Sequence, residues 1–164
     1  MARNARFEQW IPCPLPRVFS FFSDPLNLPL LMPPELAAEV TGLDAVPAPG
    51  GAKAGAGSEV RLSVRLLPPL PLRTNWVARI VEFEPGHHFV DVQVRGPFRH
   101  WRHRHGFEAE RRAGRDGTWV RDDLEYEVGL GALGELAARY VVGSRIESTF
   151  RRRQERLEAI LCPA

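Results

Sequence analysis

The sequence predicts an α+β domain in which an antiparallel sheet wraps one long carboxy-terminal helix, with two short helices after the first strand. Three observations predict it. Apolar and polar residues alternate through most of residues 58–128, the pattern of half-buried strands. The links between those segments are too short for parallel returns, which need about a dozen residues, so neighbouring strands run antiparallel. After Gly129 the apolar period becomes 3.6, with no further proline until Pro163. A sheet with one apolar face and one amphipathic helix bury those surfaces most simply against each other.

The elements follow in order. Arg3 to Ile11 reads as a strand, with Phe7, Gln9 and Ile11 on one face and Glu8 and Trp10 on the other. Pro12, Pro14 and Pro16 stop it, and Pro16 suits the first turn of a short helix carrying Val18, Phe19, Phe21 and Phe22. Ser23-Asp24-Pro25 ends that helix, and the apolar segment Leu26 to Met32 forms a second. From Leu36 the period returns to two through Ala38 and Val40. Pro47 to Gly57 is poor in large apolar groups and reads as a mobile loop. Strands follow over Ser58–Leu67, Leu72–Glu84, His88–Arg95, Phe98–Glu110 and Thr118–Val128, separated by proline and glycine turns. The final helix, about 30 residues long, carries Leu133, Leu136, Ala137, Tyr140, Ile146, Phe150, Leu157 and Ile160 or Leu161 on one stripe.

Composition narrows the function classes. The 164 residues suit a single domain spanning 1–164, long enough to bury a core without staples. A net charge of +2 is too small to point to nucleic acid. Two cysteines, Cys13 and Cys162, offer neither a disulfide framework nor zinc-ligand spacing. No apolar run has the roughly 18 residues of a spanning helix, and Glu8 interrupts the polar amino terminus before any signal-like run. The expectation is a soluble, cytoplasmic protein without integral membrane contact; peripheral contact and oligomeric state stay open. Ala137, Gly143 and Ser144 on or near the inward stripe are small, which either permits close helix–sheet packing or leaves a cavity.

The stretch Val18-Phe19-Ser20-Phe21-Phe22-Ser23-Asp24-Pro25-Leu26-Asn27-Leu28, followed by Met32-Pro33-Pro34, resembles the opening helices of the START-like superfamily. That superfamily includes the polyketide cyclase/dehydrases and is often called SRPBCC. Gly96-Pro97-Phe98 with Trp101, His103, His105 and Phe107, then Asp122 and Tyr126, is similar to a bacterial ligand-binding branch of it. The resemblance implies the helix-grip fold, a seven-stranded antiparallel sheet gripping the last helix around a hydrophobic cavity. It implies binding, or transport, of a hydrophobic or amphipathic small molecule such as a lipid or polyketide, and a minority of relatives catalyse cyclisation or dehydration there. Gly50 to Gly57 occupies the place of a glycine-rich loop in relatives, but lacks the Lys-Ser/Thr ending of a phosphate cradle.

Strand register gathers the candidate site. If Gly96-Pro97 is a two-residue turn, Val92 lies opposite Trp101, Val90 opposite His103 and His88 opposite His105. A hairpin centred between Ala113 and Gly114 puts His105 opposite Asp122, His103 opposite Leu124 and Trp101 opposite Tyr126. One face then holds His88, Val90, Val92, Trp101, His103, His105, Phe107, Asp122, Leu124 and Tyr126. A one-residue slip would replace the valines by Phe89, Asp91 and Gln93; the valines suit a buried face better. Trp76, Trp101 and Tyr126 are the expected walls, His103, His105 and Asp122 the polar end, and Tyr140 and Gly143 the helix side. His105 and Asp122 are readable as a structural pair, as groups orienting a ligand head, or as a general acid/base and its orienter. Two histidines and a carboxylate (His88, His105, Asp122) are also metal-ligand types, although no metal or cofactor is expected. The alternatives to a binding protein are a cyclase, aromatase or dehydrase with His105 as proton shuttle, and a regulatory interaction module that needs no ligand.

Overall fold

The computed structural model describes residues 2–65, 70–129 and 141–162. Seven antiparallel strands form one sheet in the order β1-β7-β6-β5-β4-β3-β2. Their ranges are β1 Arg3–Ile11, β2 Glu39–Asp44, β3 Glu59–Arg65, β4 Arg73–Glu84, β5 His88–Arg95, β6 Phe98–Arg112 and β7 Arg115–Val128. Helix α1 (Leu15–Phe22) follows β1 and α2 (Leu28–Leu31) follows α1 after a single 3-10 turn; α3 (Gly143–Leu161) lies in the trough of the sheet. This is the helix-grip arrangement.

Prolines set the first boundaries: Pro14 precedes α1 with an extended backbone, and a proline sits in the first turn of both α1 and α2. The strand expected from Leu36 begins at Glu39, because Pro34–Leu36 makes a 3-10 turn and Ala37 takes a left-handed φ of 42°. Trp10 lies across Gly117, where a Cβ would sit 2.3 Å from the indole, so only glycine allows that overlap. The loop expected to be mobile is tied down. Gly55 N–H donates to Val46 O at 2.7 Å, Gly57 N–H to Ile80 O at 2.8 Å, and Ala54 is fully buried.

The β6–β7 register is the expected one. Ala113 and Gly114, at φ 47° and 79°, form the two-residue turn, and His105 faces Asp122, His103 faces Leu124 and Trp101 faces Tyr126. The β5–β6 register is not. His105 pairs with Phe89 and His103 with Asp91, one residue away from the expected ladder, which puts Phe89, Asp91 and Gln93 on the concave face. His88, Val90 and Val92 therefore leave the candidate site for the convex face. The ladder stops at Val92 and Arg102, and the Gln93 amide closes the hairpin instead, donating to Phe98 O at 2.6 Å and accepting from Phe98 N–H at 3.2 Å. Gly96-Pro97 is thus not a tight two-residue turn.

Helix α3 buries Ile146, Phe150, Arg153, Leu157 and Leu161. Leu133, Leu136, Ala137 and Tyr140 of the expected stripe, and Leu66 and Leu67 at the end of the expected strand Ser58–Leu67, lie outside the described residues. Gly143 is half-buried, whereas Ser144 is exposed and does not line the trough. Two links hold α3 to β1: Gln9 Nε2 donates to Gln154 O and Gln154 Nε2 to Glu8 O, each at 3.0 Å.

Candidate functional site

The concave face changes character along the strands. Towards α1 it is closed by rings: Phe19 meets Phe83, Phe89 and Phe107 at centroid distances of 5.6, 6.5 and 5.3 Å, and Phe22 meets Phe107 at 5.2 Å. Ile11, Ile80, Val120, Leu157 and Leu161 complete that core. Phe107, expected to touch ligand, belongs to this packed end.

At the opposite end lies an aromatic group of another kind. Trp76 packs against Trp101 at 5.0 Å and Phe98 at 5.5 Å, and Phe98 reaches Trp101 at 4.8 Å. All three rings stay half-buried, as do Thr74 and Gln93 on the same face. The Trp76 indole N–H is shielded from solvent and has no partner among the described residues. Leu124 and Tyr126 continue this end as part of a buried cluster with Ile146 and Phe150.

Between the two ends sits a polar cluster. Strand β6 supplies His103 and His105, β7 supplies Asp122, β5 supplies Asp91, and α3 lowers Arg153 onto them. His103 Nε2 lies 2.9 Å from Asp122 Oδ1, and His105 Nδ1 lies 3.1 Å from the same oxygen. Asp91 Oδ2 accepts from His105 Nε2 at 3.0 Å and stands 3.8 Å from His103 Nδ1. Arg153 Nη2 reaches Asp122 Oδ1 at 3.2 Å, with its guanidinium over the rings of Phe22 (4.9 Å) and Phe150 (5.3 Å). The imidazole centroids lie 3.7 Å apart with the rings tilted by 40°, and His105 stacks on Phe89 at 4.3 Å. His103, His105, Asp122 and Arg153 are buried, whereas the Asp91 side chain keeps 18% of its surface exposed.

Burial would raise the Asp122 carboxyl, but Arg153, with hydrogen bonds to His103 and His105, holds it well below the usual carboxylate range. Burial pushes Asp91 the same way, and His105, His103 and Arg153 reverse it, leaving Asp91 lowered. His103 is lowered, first by burial and then by the charge on His105. Burial also disfavours charge on His105, yet its bonds to Asp122 and Asp91 outweigh that and raise it. Relative to an ordinary imidazole, His105 between the two carboxylates favours its charged form and His103 its neutral form.

Sequence reasoning brought His103, His105 and Asp122 together and missed Asp91 and Arg153. Arg153 sits three residues from Phe150 and four from Leu157, on the apolar stripe itself, so helical spacing alone could have found it. Asp91 had no such signal, because both faces of β5 alternate acceptably. His88 instead lies beside Glu84 (3.2 Å) and Glu82 (3.7 Å) on the convex face, and Val90 is covered there next to Glu82 and Arg104. On β6, Arg99 meets Glu127 and Arg102 meets Glu82 away from the cluster.

Recesses open between described residues. One, of about 390 Å³, runs between α1, Lys53 and the end of α3; another, of about 470 Å³, lies along β1 and β7. Neither is lined by a residue of the polar cluster. No described helix is long and apolar enough to cross a membrane.

Residues 11–153 match the family described as polyketide cyclase / dehydrase and lipid transport. Solved structures share the fold. TTHA0849 from Thermus thermophilus is 22% identical with a TM-score of 0.66, covering 96% of this chain and 99% of its own. A START superfamily protein from Mycobacterium smegmatis is 17% identical at 0.66, over 96% and 98% of the two chains. A norcoclaurine synthase point mutant from Thalictrum, solved with a transition-state analogue, is 13% identical at 0.59, over 94% and 93%. No curated protein sequence matches the chain significantly.

Proposed function

The chain belongs to the polyketide cyclase/dehydrase and lipid transport family, with the START-like helix-grip fold, and on that premise we propose that it binds a hydrophobic or amphipathic small molecule in the sheet trough. Trp76, Trp101 and Phe98 form the apolar wall, and Asp91, backed by His103, His105 and Asp122, forms the polar end. Tyr126 and Leu124 support the wall from behind. The observation that carries this reading is the contrast in burial. Concave-face aromatics stay half-buried next to the one cluster member with an exposed edge, while the α1 end of the same face is filled. A lipid- or polyketide-like molecule with one polar group matches a surface apolar along its length and polar at one place.

Mass spectrometry of the natively purified protein tests it. A co-purifying amphipathic molecule that Trp101→Ala releases, and that is unchanged on incubation, is the expected result. A molecule converted on incubation would instead support the cyclase, aromatase or dehydrase reading with His105 as proton shuttle. Failure to retain any hydrophobic molecule, with no quenching of tryptophan fluorescence by fatty acids or aromatic polyketide analogues, would overturn ligand binding and favour an interaction module.

A further inference from the structure

We infer that Asp91, His103 and His105 form a binding site for a divalent transition-metal ion of the zinc type, with Asp122 orienting both imidazoles from behind. This goes beyond the ligand-binding reading and does not depend on it, since the quantity that tests it is metal uptake.

The donor set comes first. Two imidazole nitrogens and one carboxylate oxygen suit borderline divalent ions such as Zn²⁺ and Co²⁺, and suit Mg²⁺ or Ca²⁺ poorly. One ligand atom from each of the three residues lies within 4.8 Å of the other two. Asp91 Oδ2 is 3.0 Å from His105 Nε2 and 3.8 Å from His103 Nδ1. Around a tetrahedral zinc with bonds of about 2.0–2.2 Å, neighbouring ligand atoms stand roughly 3.3–3.6 Å apart. The two distances bracket that spacing.

The backing groups argue more strongly. A metal-ligating histidine ordinarily has its remote ring nitrogen held by a carboxylate or carbonyl, which fixes the ring and makes the ligating nitrogen more basic. Here one carboxylate does this for both rings: Asp122 Oδ1 is 2.9 Å from His103 Nε2 and 3.1 Å from His105 Nδ1. That leaves His103 Nδ1 and His105 Nε2 turned to Asp91. Arg153, held between Phe22 and Phe150, binds Asp122 at 3.2 Å and keeps it in the backing position. Phe89 against His105 fixes the second ring plane. A structural ion pair between strands needs one histidine and one acid. This arrangement converges two imidazoles on the acid that has an exposed edge.

Charge points the same way. Two carboxylates against one guanidinium favour one further positive charge between Asp91 and the imidazoles, carried either by a proton or by a metal ion. A metal ion there takes the place of the proton that His105 Nε2 directs at Asp91, and that proton goes to solvent. The exposed edge of Asp91 is the way in.

The full chain, stripped with chelator, is titrated with Zn²⁺ against a chromophoric competitor and with Co²⁺ by visible absorption. One equivalent of each is expected, with the intense cobalt bands of a four- or five-coordinate site. Asp91→Asn and His105→Gln should each weaken uptake at least about 10-fold, and Asp122→Asn about 10- to 100-fold. His88→Ala should leave it unchanged. No saturable uptake by the wild type, only the weak bands of octahedral surface cobalt, or uptake that survives both Asp91→Asn and His105→Gln would overturn the site. The wild-type cobalt spectrum decides the matter even where a variant fails to fold.

Discussion

The two ends of the trough are built from the same residue types and do different things. At the α1 end five phenylalanines interlock, and Phe19, Phe89 and Phe107 are buried. At the other end Trp76, Phe98 and Trp101 make comparable ring contacts yet remain half-buried, and among the described residues no helix contributes a ring to them. Aromatic content alone therefore does not set burial; Phe89 and Phe107, which Phe19 of α1 packs against, are buried. α1 supplies Phe19 and Phe22 to one end. The polar cluster marks the boundary, with Asp122 tied to Arg153 of α3 and the Asp91 side chain partly exposed.

The largest effect expected from this contrast is at the filled end. Phe19→Ala removes a ring that touches three others, and should cost about 3–5 kcal/mol in denaturant unfolding. Quenching of tryptophan fluorescence by a fatty acid should keep its midpoint in the folded variant. A large loss of ligand affinity with unchanged stability would reverse the assignment of the two ends.

Next comes the boundary. Arg153→Met leaves Asp122 buried without its guanidinium and should destabilise by about 3–5 kcal/mol. Combining it with Asp122→Asn removes the uncompensated charge, so the double variant should be clearly more stable than Arg153→Met alone. Additive losses would show that the two groups do not act as a pair.

At the open end the balance inverts. Trp101→Ala exposes only a half-buried ring and should cost about 1–2 kcal/mol, less than Phe19→Ala. It should weaken fatty-acid binding about 10-fold, the equivalent of roughly 1.4 kcal/mol of lost contact. Equal destabilisation by the two substitutions would mean that both ends are core.

How much of this was legible depends on what each signal constrains. The bounds of β1 and β5 follow from alternation closed by prolines and glycines, and the β6–β7 register follows from Ala113-Gly114, since a two-residue turn permits one ladder. The β5–β6 register was not legible. Val90, Val92 and Val94 form the better apolar face, and hydrophobicity favours turning them inward. Asp91 can face inward because two imidazoles await it, and those partners are 12 and 14 positions away on another strand. Gln93 then replaces a backbone partner with its side-chain amide, which no turn rule anticipates. Arg153 was in plain view on the stripe, but a basic residue near a helix end also suits the macrodipole, so the sequence offered two reasons for it.

The smallest expected effect tests the register on which the site depends. His88 and Asp91 are three residues apart on β5 and therefore on opposite faces. In the observed ladder His88 meets Glu82 and Glu84 on the convex side, a surface contact worth little. His88→Ala should then change stability by no more than about 0.5 kcal/mol and leave both zinc uptake and fatty-acid binding unaltered. Under the alternative ladder His88 would stand opposite His105 in the trough, and its removal would disturb the cluster as Asp91→Asn should. Because the two ladders exchange every side chain of β5 between the faces, a silent His88→Ala beside a damaging Asp91→Asn can arise from only one of them.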